Sequence, residues 1–129
     1  MISIGKTITP AEKEKVREFL SRIKPYLKTN EYQIQVNHKN KNFDRSYPLR
    51  DKEKRQILES LTEDDCIEIE NNNNPRYDNA EVFVFLKQVS IPVYGEIENI
   101  ELYIKMYMKE YDRSNIVIVI SFHPSGEYE

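Results

Sequence analysis

Long strand-like runs near the C-terminus constrain the fold of this chain more than any other feature. One run is "IELYIKMYMK" (100–109), in which apolar side chains alternate with polar ones, and another is the β-branched run "NIVIVISFH" (115–123). A third run, "EVFVFLKQ", occupies residues 81–88. The connections between these runs are short, so neighbouring runs are expected to pair in an antiparallel manner. The pattern predicts an antiparallel sheet over about residues 80–123.

The N-terminal region carries the signals of an amphipathic helix over about residues 10–24. Thr9 can cap this helix, Pro10 suits its first position and Glu12 completes a capping box. A stripe of apolar residues follows at helical spacing: Val16, Phe19, Leu20 and Ile23. Pro25 is expected to end or kink the helix because proline lacks the backbone N–H group that a helix interior requires.

The segment between this helix and the sheet predicts one more strand and one more helix. The alternating residues Tyr32, Ile34 and Val36 predict a first strand. The stretch "NHKNKNFDRSYP" (37–48) is interpreted as a basic, Asn-rich loop. The stretch "LRDKEKRQILESL" predicts a second helix, and the capping-box spacing in "LTEDDC" predicts a short helical turn after it.

This order of elements predicts the fold class. A helix, a strand and a second helix precede three strands, which is typical of an α+β domain. We expect one domain over residues 1–129, with two or three helices on one face of an antiparallel sheet of about four to six strands.

Composition excludes several classes of protein. No stretch approaches the roughly 18 apolar residues of a membrane span, and the N-terminal stretch lacks the continuous apolar segment of a secretory signal. The single Cys66 and two separated histidines do not provide a zinc ligand set. Three glycines in the whole chain provide no phosphate-binding loop. We therefore expect a cytoplasmic protein without a metal or other cofactor.

The net charge of −3 divides unevenly along the chain. Residues 1–60 contain 14 Lys and Arg against 8 Asp and Glu, an excess of +6, whereas residues 61–129 contain 5 against 14. A basic first half suits contact with nucleic acid. A solvated helix surface rich in lysine and glutamate gives the same pattern, so this alternative stays open.

Alternation along the three C-terminal strands predicts a sheet face that can contact RNA. If the more apolar set of each strand faces the helices, the outer face carries lysines, aromatic rings and a histidine: Phe83, Phe85, Lys87, Tyr103, Lys105, Ser121 and His123. Lysines bind phosphates, aromatic rings stack on bases, and histidine moves protons near neutral pH. Exposed strand faces also carry lysine and tyrosine without any function, and that alternative stays open.

The segment 37–48 supplies a second group of candidates. His38, Lys39 and Lys41 are candidates for RNA contact, with ordinary solvation of a basic loop as the alternative. Cys66 is interpreted as a small buried thiol rather than a nucleophile.

An ordered series of short motifs resembles the MqsR-type toxins, which are type II toxin–antitoxin ribonucleases with a RelE-like α+β fold. The series runs over residues 47–128 and consists of "YPLRDKEKRQILESLTEDDC", "AEVFVFLKQ", "IELYIKMYM" and "NIVIVISFHPSGEY". The resemblance implies an endoribonuclease that cuts mRNA without a metal ion. The ribose 2′-hydroxyl then attacks the neighbouring phosphate, which yields a 2′,3′-cyclic phosphate and a free 5′-hydroxyl.

The resemblance also implies roles for individual residues. The tyrosine and the lysine of the family's "Y-[IL]-K" motif fall on Tyr103 and Lys105, and the polar residue after "SF" falls on His123. His123 is then the general acid or base, Lys105 and Lys87 stabilise phosphate charge, and Tyr103 contacts the scissile nucleotide. The chain differs from the best-known members at two positions where they have lysine, since it has His123 and Glu68 there.

The implied partners are mRNA and a cognate antitoxin protein, with the ribosome left open. A second class of function also stays open, because the C-terminal half is acidic. In that alternative the chain is a non-catalytic RelE-fold interaction module from a mobile element or a phage.

Overall fold

The structure is a computed structural model that describes residues 8–70, 75–78 and 80–126. Among these residues it contains three α-helices and five strands. In chain order they are α1 (Pro10–Lys28), β1 (Tyr32–Ile34), α2 (His38–Ser46), α3 (Asp51–Glu59), β2 (Cys66–Glu70), β3 (Val82–Val93), β4 (Glu96–Glu110) and β5 (Asn115–Pro124). The expected α+β fold class is confirmed, and the arrangement is consistent with a RelE-like fold.

The five strands form one mixed sheet in the order β1-β5-β4-β3-β2. Strands β2 to β5 pair in an antiparallel manner, as expected, whereas β1 lies parallel to β5. A parallel pair requires a long crossover connection, and the chain between β1 and β5 provides one. The expectation of a purely antiparallel sheet is therefore wrong at this edge strand.

Helix α1 begins as the sequence predicts, with Thr9 and Glu12 forming the capping box. It does not end at Pro25, however, but continues to Lys28. Proline in a helix interior costs about 3 kcal/mol, and burial of Leu27 in the core offsets part of this cost. The amide of Thr29 donates to the Pro25 carbonyl, so the last turn keeps a regular hydrogen bond.

The segment predicted as a basic loop over residues 37–48 forms helix α2 instead. Asn37 caps this helix, because its side chain accepts a hydrogen bond from the Asn40 amide at 3.0 Å. Asn40 and Phe43 are both buried and lie three residues apart, on one face of the helix. This spacing indicates a helix, but the polar composition of the segment hides it. An N-cap and two buried anchors are sufficient to order this polar stretch.

Strands β3 and β4 form a longer hairpin than the sequence predicts. They meet at a two-residue turn of Tyr94 and Gly95, which have φ angles of 50° and 84°. Positive φ at both positions is the geometry that matches the twist of paired strands. The sequence analysis also does not predict β2, in which isoleucine alternates with glutamate.

The face of β3 that contacts the helices is the opposite of the expected one. Phe83 pairs with Met106 and Phe85 with Ile104, which places both phenylalanines on the helix side of the sheet. Phe83 is 5% exposed and stacks on Phe19 of α1 at 4.0 Å between ring centroids. Both faces of β3 are apolar, so alternation alone does not orient it, and the larger rings gain more from burial than the valines do.

Strand β5 contains an irregularity that reverses its faces partway along. Lys105 pairs with Ser121 but Met106 pairs with Val119, so Ile120 is an extra residue opposite β4. A bulge of this kind breaks the two-residue period. Strict alternation from Ser121 and His123 predicts Val119 on the outer face as well, but Val119 faces the helices, whereas Ser121 lies on the outer face as expected.

The outer face is divided into two parts. One part carries a small apolar cluster against which Tyr77, Ala80 and Ile116 pack: Val82, Tyr107, Ile118 and Ile120. The other part, toward the end of β5, carries four of the residues predicted for this face: Tyr103, Lys105, Ser121 and His123. All three helices contribute to the main core on the other side of the sheet.

Candidate functional site

Two asparagines fasten the N-terminus of α2 to the bulge in β5. Asn37 Nδ2 donates to the Ile120 carbonyl at 2.9 Å. Asn40, which is 4% exposed, donates to the carbonyls of Gln35 and Ile120 at 2.8 and 3.1 Å and accepts from the Phe122 amide at 2.8 Å. Where the bulge interrupts strand pairing, these side chains satisfy backbone groups. The first turn of α2 is thus held beside the outer face of the sheet.

This arrangement forms an open pocket of about 390 Å³ between α2 and the outer face of β4 and β5. Its lining combines two histidines, two lysines, a tyrosine, an asparagine and a serine: Asn37, His38, Lys39, Tyr103, Lys105, Ser121 and His123. Five of the nine residues predicted as catalytic or RNA-binding meet here. Among the described residues that line the pocket, none is an aspartate or a glutamate.

His123 lies at the floor of the pocket and is 2% exposed. Its Nδ1 lies 3.0 Å from the Pro124 carbonyl oxygen. A carbonyl can only accept, so this contact favours the tautomer with the proton on Nδ1, in which Nε2 can accept a proton. The ring also stacks on Tyr103, with 5.7 Å between centroids and 22° between planes. These two contacts hold the ring in one orientation, which a general base requires.

Lys105 connects the pocket with the acidic strand β2. Its Nζ lies 3.2 Å from a carboxylate oxygen of Glu70 and 5.5 Å from the centre of the Tyr77 ring. Both contacts stabilise the ammonium group in a half-buried position. Glu70 therefore offsets part of the positive charge that Lys105 brings to the pocket.

The first turn of α2 has an unusual distribution of charge. The N-terminal end of a helix is electrically positive and normally favours acidic side chains. Here the first turn has no acidic residue and contains His38, Lys39 and Lys41. A lysine at this end of a helix is unfavourable by up to about 1 kcal/mol in the free protein. An anion bound in the pocket offsets this repulsion, and backbone N–H groups at a helix start also bind phosphate.

The remaining predicted site residues lie elsewhere. Lys87 pairs with Leu102, so it lies on the helix side, where its Nζ is 3.3 Å from Asp65 and 3.4 Å from the Ser60 carbonyl. Its predicted role beside Tyr103 is wrong because the orientation of β3 separates the two side chains. Phe83 and Phe85 are wrong as stacking platforms for the same reason, since they are buried in the core.

Lys41 is exposed and lies outside the pocket. With His38, Asn42 and Arg45 it lines an adjoining recess of about 300 Å³. The predicted contact of Lys41 with RNA stays a prediction.

Glu68 lies on the same face as the pocket. It pairs with Val84, which in turn pairs with Lys105, so the three side chains form one row across the sheet. Adjacent strands are about 4.8 Å apart, which places Glu68 about 10 Å from Lys105. The acid is therefore close to the pocket without lining it.

Cys66 is confirmed as a structural thiol. It is 5% exposed, and burial is the main cause that raises the pKa of its thiol to about 11. The protonated thiol is a weak nucleophile at neutral pH.

Several residues that shape the site were not predicted from the sequence. Asn37 and Asn40 position α2, and Glu70 and Tyr77 hold Lys105. Asparagine is a preferred N-cap residue, so Asn37 could have been recognised as the start of a helix with Asn40 in its first turn. The contacts of Glu70 depend on β2, which the sequence analysis does not predict.

Other features of the described residues bear on the class of protein. They contain no helix that is both long and apolar enough to cross a membrane. Within the same residues, no three or more His, Cys, Asp or Glu side chains group closely enough to hold a metal ion. Tyr128, the last residue of the motif series, lies outside the described part of the chain.

Comparisons with protein-family models, with curated proteins and with solved structures found no match for this chain. The site must therefore be interpreted from its own geometry, together with the motif resemblance.

Proposed function

We propose that this chain is the toxin of a type II toxin–antitoxin system and cleaves mRNA by attack of a ribose 2′-hydroxyl on the adjacent phosphate. The observation that carries the proposal is the position of His123. An imidazole whose Nδ1 faces the Pro124 carbonyl lies in a pocket with Lys39, Lys105 and the N-terminus of α2. This combination offers a base and several positive groups to one phosphate.

In the proposed reaction, His123 acts as the general base. Its Nε2 takes the proton of the 2′-hydroxyl while the oxygen bonds to phosphorus, and the bond from phosphorus to the 5′ oxygen breaks. The Pro124 carbonyl stabilises the imidazolium that forms, because it accepts from Nδ1 throughout. A positioned base of this kind contributes about 100-fold to 10,000-fold to a rate.

Positive groups stabilise the charge that develops on the phosphate. Lys39 and Lys105 line the pocket on two sides, from α2 and β4, and the first N–H groups of α2 add a favourable dipole. Preorganised groups of this kind are effective because they need no rearrangement during the reaction. These residues supply the base and the positive charge from the protein itself, so the proposed reaction is independent of a metal ion.

The products follow from the chemistry. Attack by the 2′-hydroxyl gives a 2′,3′-cyclic phosphate on one fragment and a 5′-hydroxyl on the other. The test is to incubate the protein with a long mRNA in EDTA and to map the new ends, with and without ribosomes. Fragments with 5′-phosphate ends, or no fragments in either condition, would exclude the reaction.

A second candidate function is a non-catalytic interaction module. Glu68 and the ion pair of Glu70 with Lys105 favour it, because they place two acids on the face that an RNA would approach. In this case the pocket binds an anionic group of a partner protein without cleaving anything. Binding of a non-cleavable RNA with 2′-O-methyl groups distinguishes the two, since a protein-binding module is expected to show no preference for RNA.

The toxin proposal includes a cytoplasmic location and an antitoxin that covers the pocket or a neighbouring surface. Expression of the chain alone is then expected to stop growth, and co-expression of the antitoxin to restore it.

A further inference from the structure

The proposed reaction requires an acid as well as a base. The departing 5′ oxygen must receive a proton as its bond to phosphorus breaks. In an in-line displacement the attacking and departing oxygens lie on opposite sides of phosphorus. One side chain therefore does not serve both oxygens in the same step, and the acid must come from a different wall of the pocket than His123.

His38 lies on such a wall. It is the first residue of α2, whereas His123 is near the end of β5, and both line the same pocket. The bonds from Asn37 and Asn40 to the bulge of β5 set the distance between these two elements. His38 is also exposed, so its ring is accessible to a substrate.

Asn42 orients the His38 ring. The Nδ2 atom of Asn42 lies 3.3 Å from Nε2 of His38, one helical turn away. An asparagine amide can donate to a bare ring nitrogen through Nδ2 or accept from a protonated one through Oδ1. As placed, Nδ2 suits a bare Nε2, and a flip of the amide brings Oδ1 there to accept from the imidazolium, which leaves the Nδ1 proton as the one for transfer.

Other residues of the pocket are less suitable as the acid. Lysine ammonium groups and serine hydroxyls release protons much less readily than an imidazolium does at neutral pH, which disfavours Lys39, Lys105 and Ser121. Tyr103 stacks on His123 and so lies beside the base.

We propose that His38, as the imidazolium, is the general acid that protonates the departing 5′ oxygen; the proposal rests on the ribonuclease function above. The 2′-hydroxyl proton passes to Nε2 of His123 as the new oxygen–phosphorus bond forms. The Nδ1 proton of His38 passes to the 5′ oxygen as the old bond breaks. His38 ends neutral and His123 ends as the imidazolium, so protons and charge balance. Exchange with water restores both.

The test compares two RNA oligonucleotides that contain one mapped cleavage site. In one the departing atom is the natural 5′ oxygen, and in the other it is sulfur, which leaves as a thiolate without needing a proton. The proteins are wild type, His38→Ala, His38→Gln and His123→Ala. Lys13→Ala is the control, since Lys13 is on α1 and pairs with Asp64. Circular dichroism and thermal melting check that each variant is folded.

We expect both His38 variants to cleave the oxygen substrate about 100-fold more slowly than wild type and the sulfur substrate at nearly the wild-type rate. His123→Ala is expected to be slow on both substrates. An equal loss on both substrates for the His38 variants would overturn the proposal in favour of RNA binding alone. No loss on the oxygen substrate would also overturn it, while leaving the ribonuclease function intact. Only a failure of wild type to cleave either substrate would refute that function itself.

Discussion

Replacement of Asn40 by alanine tests whether the pocket depends on the polar contacts between α2 and β5. The Asn40 side chain is the bonding partner of the Gln35 and Ile120 carbonyls and of the Phe122 amide. Asn37 also donates to the Ile120 carbonyl, so that group keeps a partner. The Gln35 carbonyl and the Phe122 amide each lose the side chain that satisfies them.

The magnitude follows from these two groups. A buried backbone group that loses its partner costs about 1–3 kcal/mol, so about 2–6 kcal/mol is an upper range for the two groups, since Gln35 is only half-buried. Water that enters the vacated space recovers part of this, so we expect the free energy of unfolding to fall by about 3 kcal/mol. The matched control is Asn99→Ala, because Asn99 is exposed and bonds through its side chain to Ser90. It should change the free energy by less than about 0.5 kcal/mol.

The assay has two parts, urea unfolding at pH 7 and RNA cleavage by the folded fraction. Since the first turn of α2 loses the Asn40 bonds to β5 and keeps the one from Asn37, His38 and Lys39 are expected to move relative to His123. A displacement of about 1 Å can reduce a rate about 100-fold, so we expect at least a tenfold loss of cleavage per folded molecule. A stability loss below about 1 kcal/mol, together with unchanged cleavage, would refute the proposed role of Asn40.

Three further predictions concern residues around the pocket and on the two faces of the sheet. Glu70→Gln removes the carboxylate beside Lys105, so in a His123→Ala background it should raise RNA affinity about twofold to fivefold in fluorescence anisotropy. Unchanged affinity would mean that Lys105 does not contact RNA. Lys87→Ala should lower the free energy of unfolding by about 1 kcal/mol but keep wild-type cleavage per folded molecule. A loss of cleavage there would contradict the orientation of β3. Burial and the bond to a carboxylate raise the pKa of Tyr107 from 10.0 to about 12, so the folded state retains the phenol proton longer than the unfolded state. Urea unfolding should therefore show that the free energy of unfolding of wild type, relative to Tyr107→Phe, falls by about 1 kcal/mol between pH 10 and 11. If this difference between the two proteins stays constant with pH, the pKa of Tyr107 is not raised.

The sequence predicted correctly those helices and strands in which the periodicity of apolar residues matches the side that is buried in the structure. Residues 101–109 of β4 alternate apolar and polar side chains, so Tyr103 and Lys105 were correctly placed on the outer face. The N-terminal helix was predicted from its capping box and apolar stripe. In both cases a single periodicity determined which side is buried.

The missed features depend on interactions that are distant in the chain. Strand β3 is apolar on both faces, and only its register with β4 shows that Phe85 is in the core and Lys87 on the helix side. The bulge at Ile120 reverses the faces of β5, and its backbone groups are satisfied by asparagines about 80 residues away. Local periodicity does not contain this information.

The segment that became α2 illustrates the same limit for the site. Its composition suggested a loop, but Asn37, Asn40 and Phe43 turn it into a helix that carries His38 to the pocket. His38 and His123 are 85 positions apart in the sequence, and their shared pocket was not predicted.

The most direct test of the account is cleavage of a long mRNA in EDTA by wild type and by His123→Ala, with the new ends mapped. Thermal melting verifies that the variant is folded, because the His123 ring is buried. We predict site-specific cuts with 5′-hydroxyl ends in wild type, and a rate at least about 100-fold lower in the variant. Equal cutting by both proteins, or no cutting by wild type with or without ribosomes, would contradict the assignment of His123 as the base of a ribonuclease site.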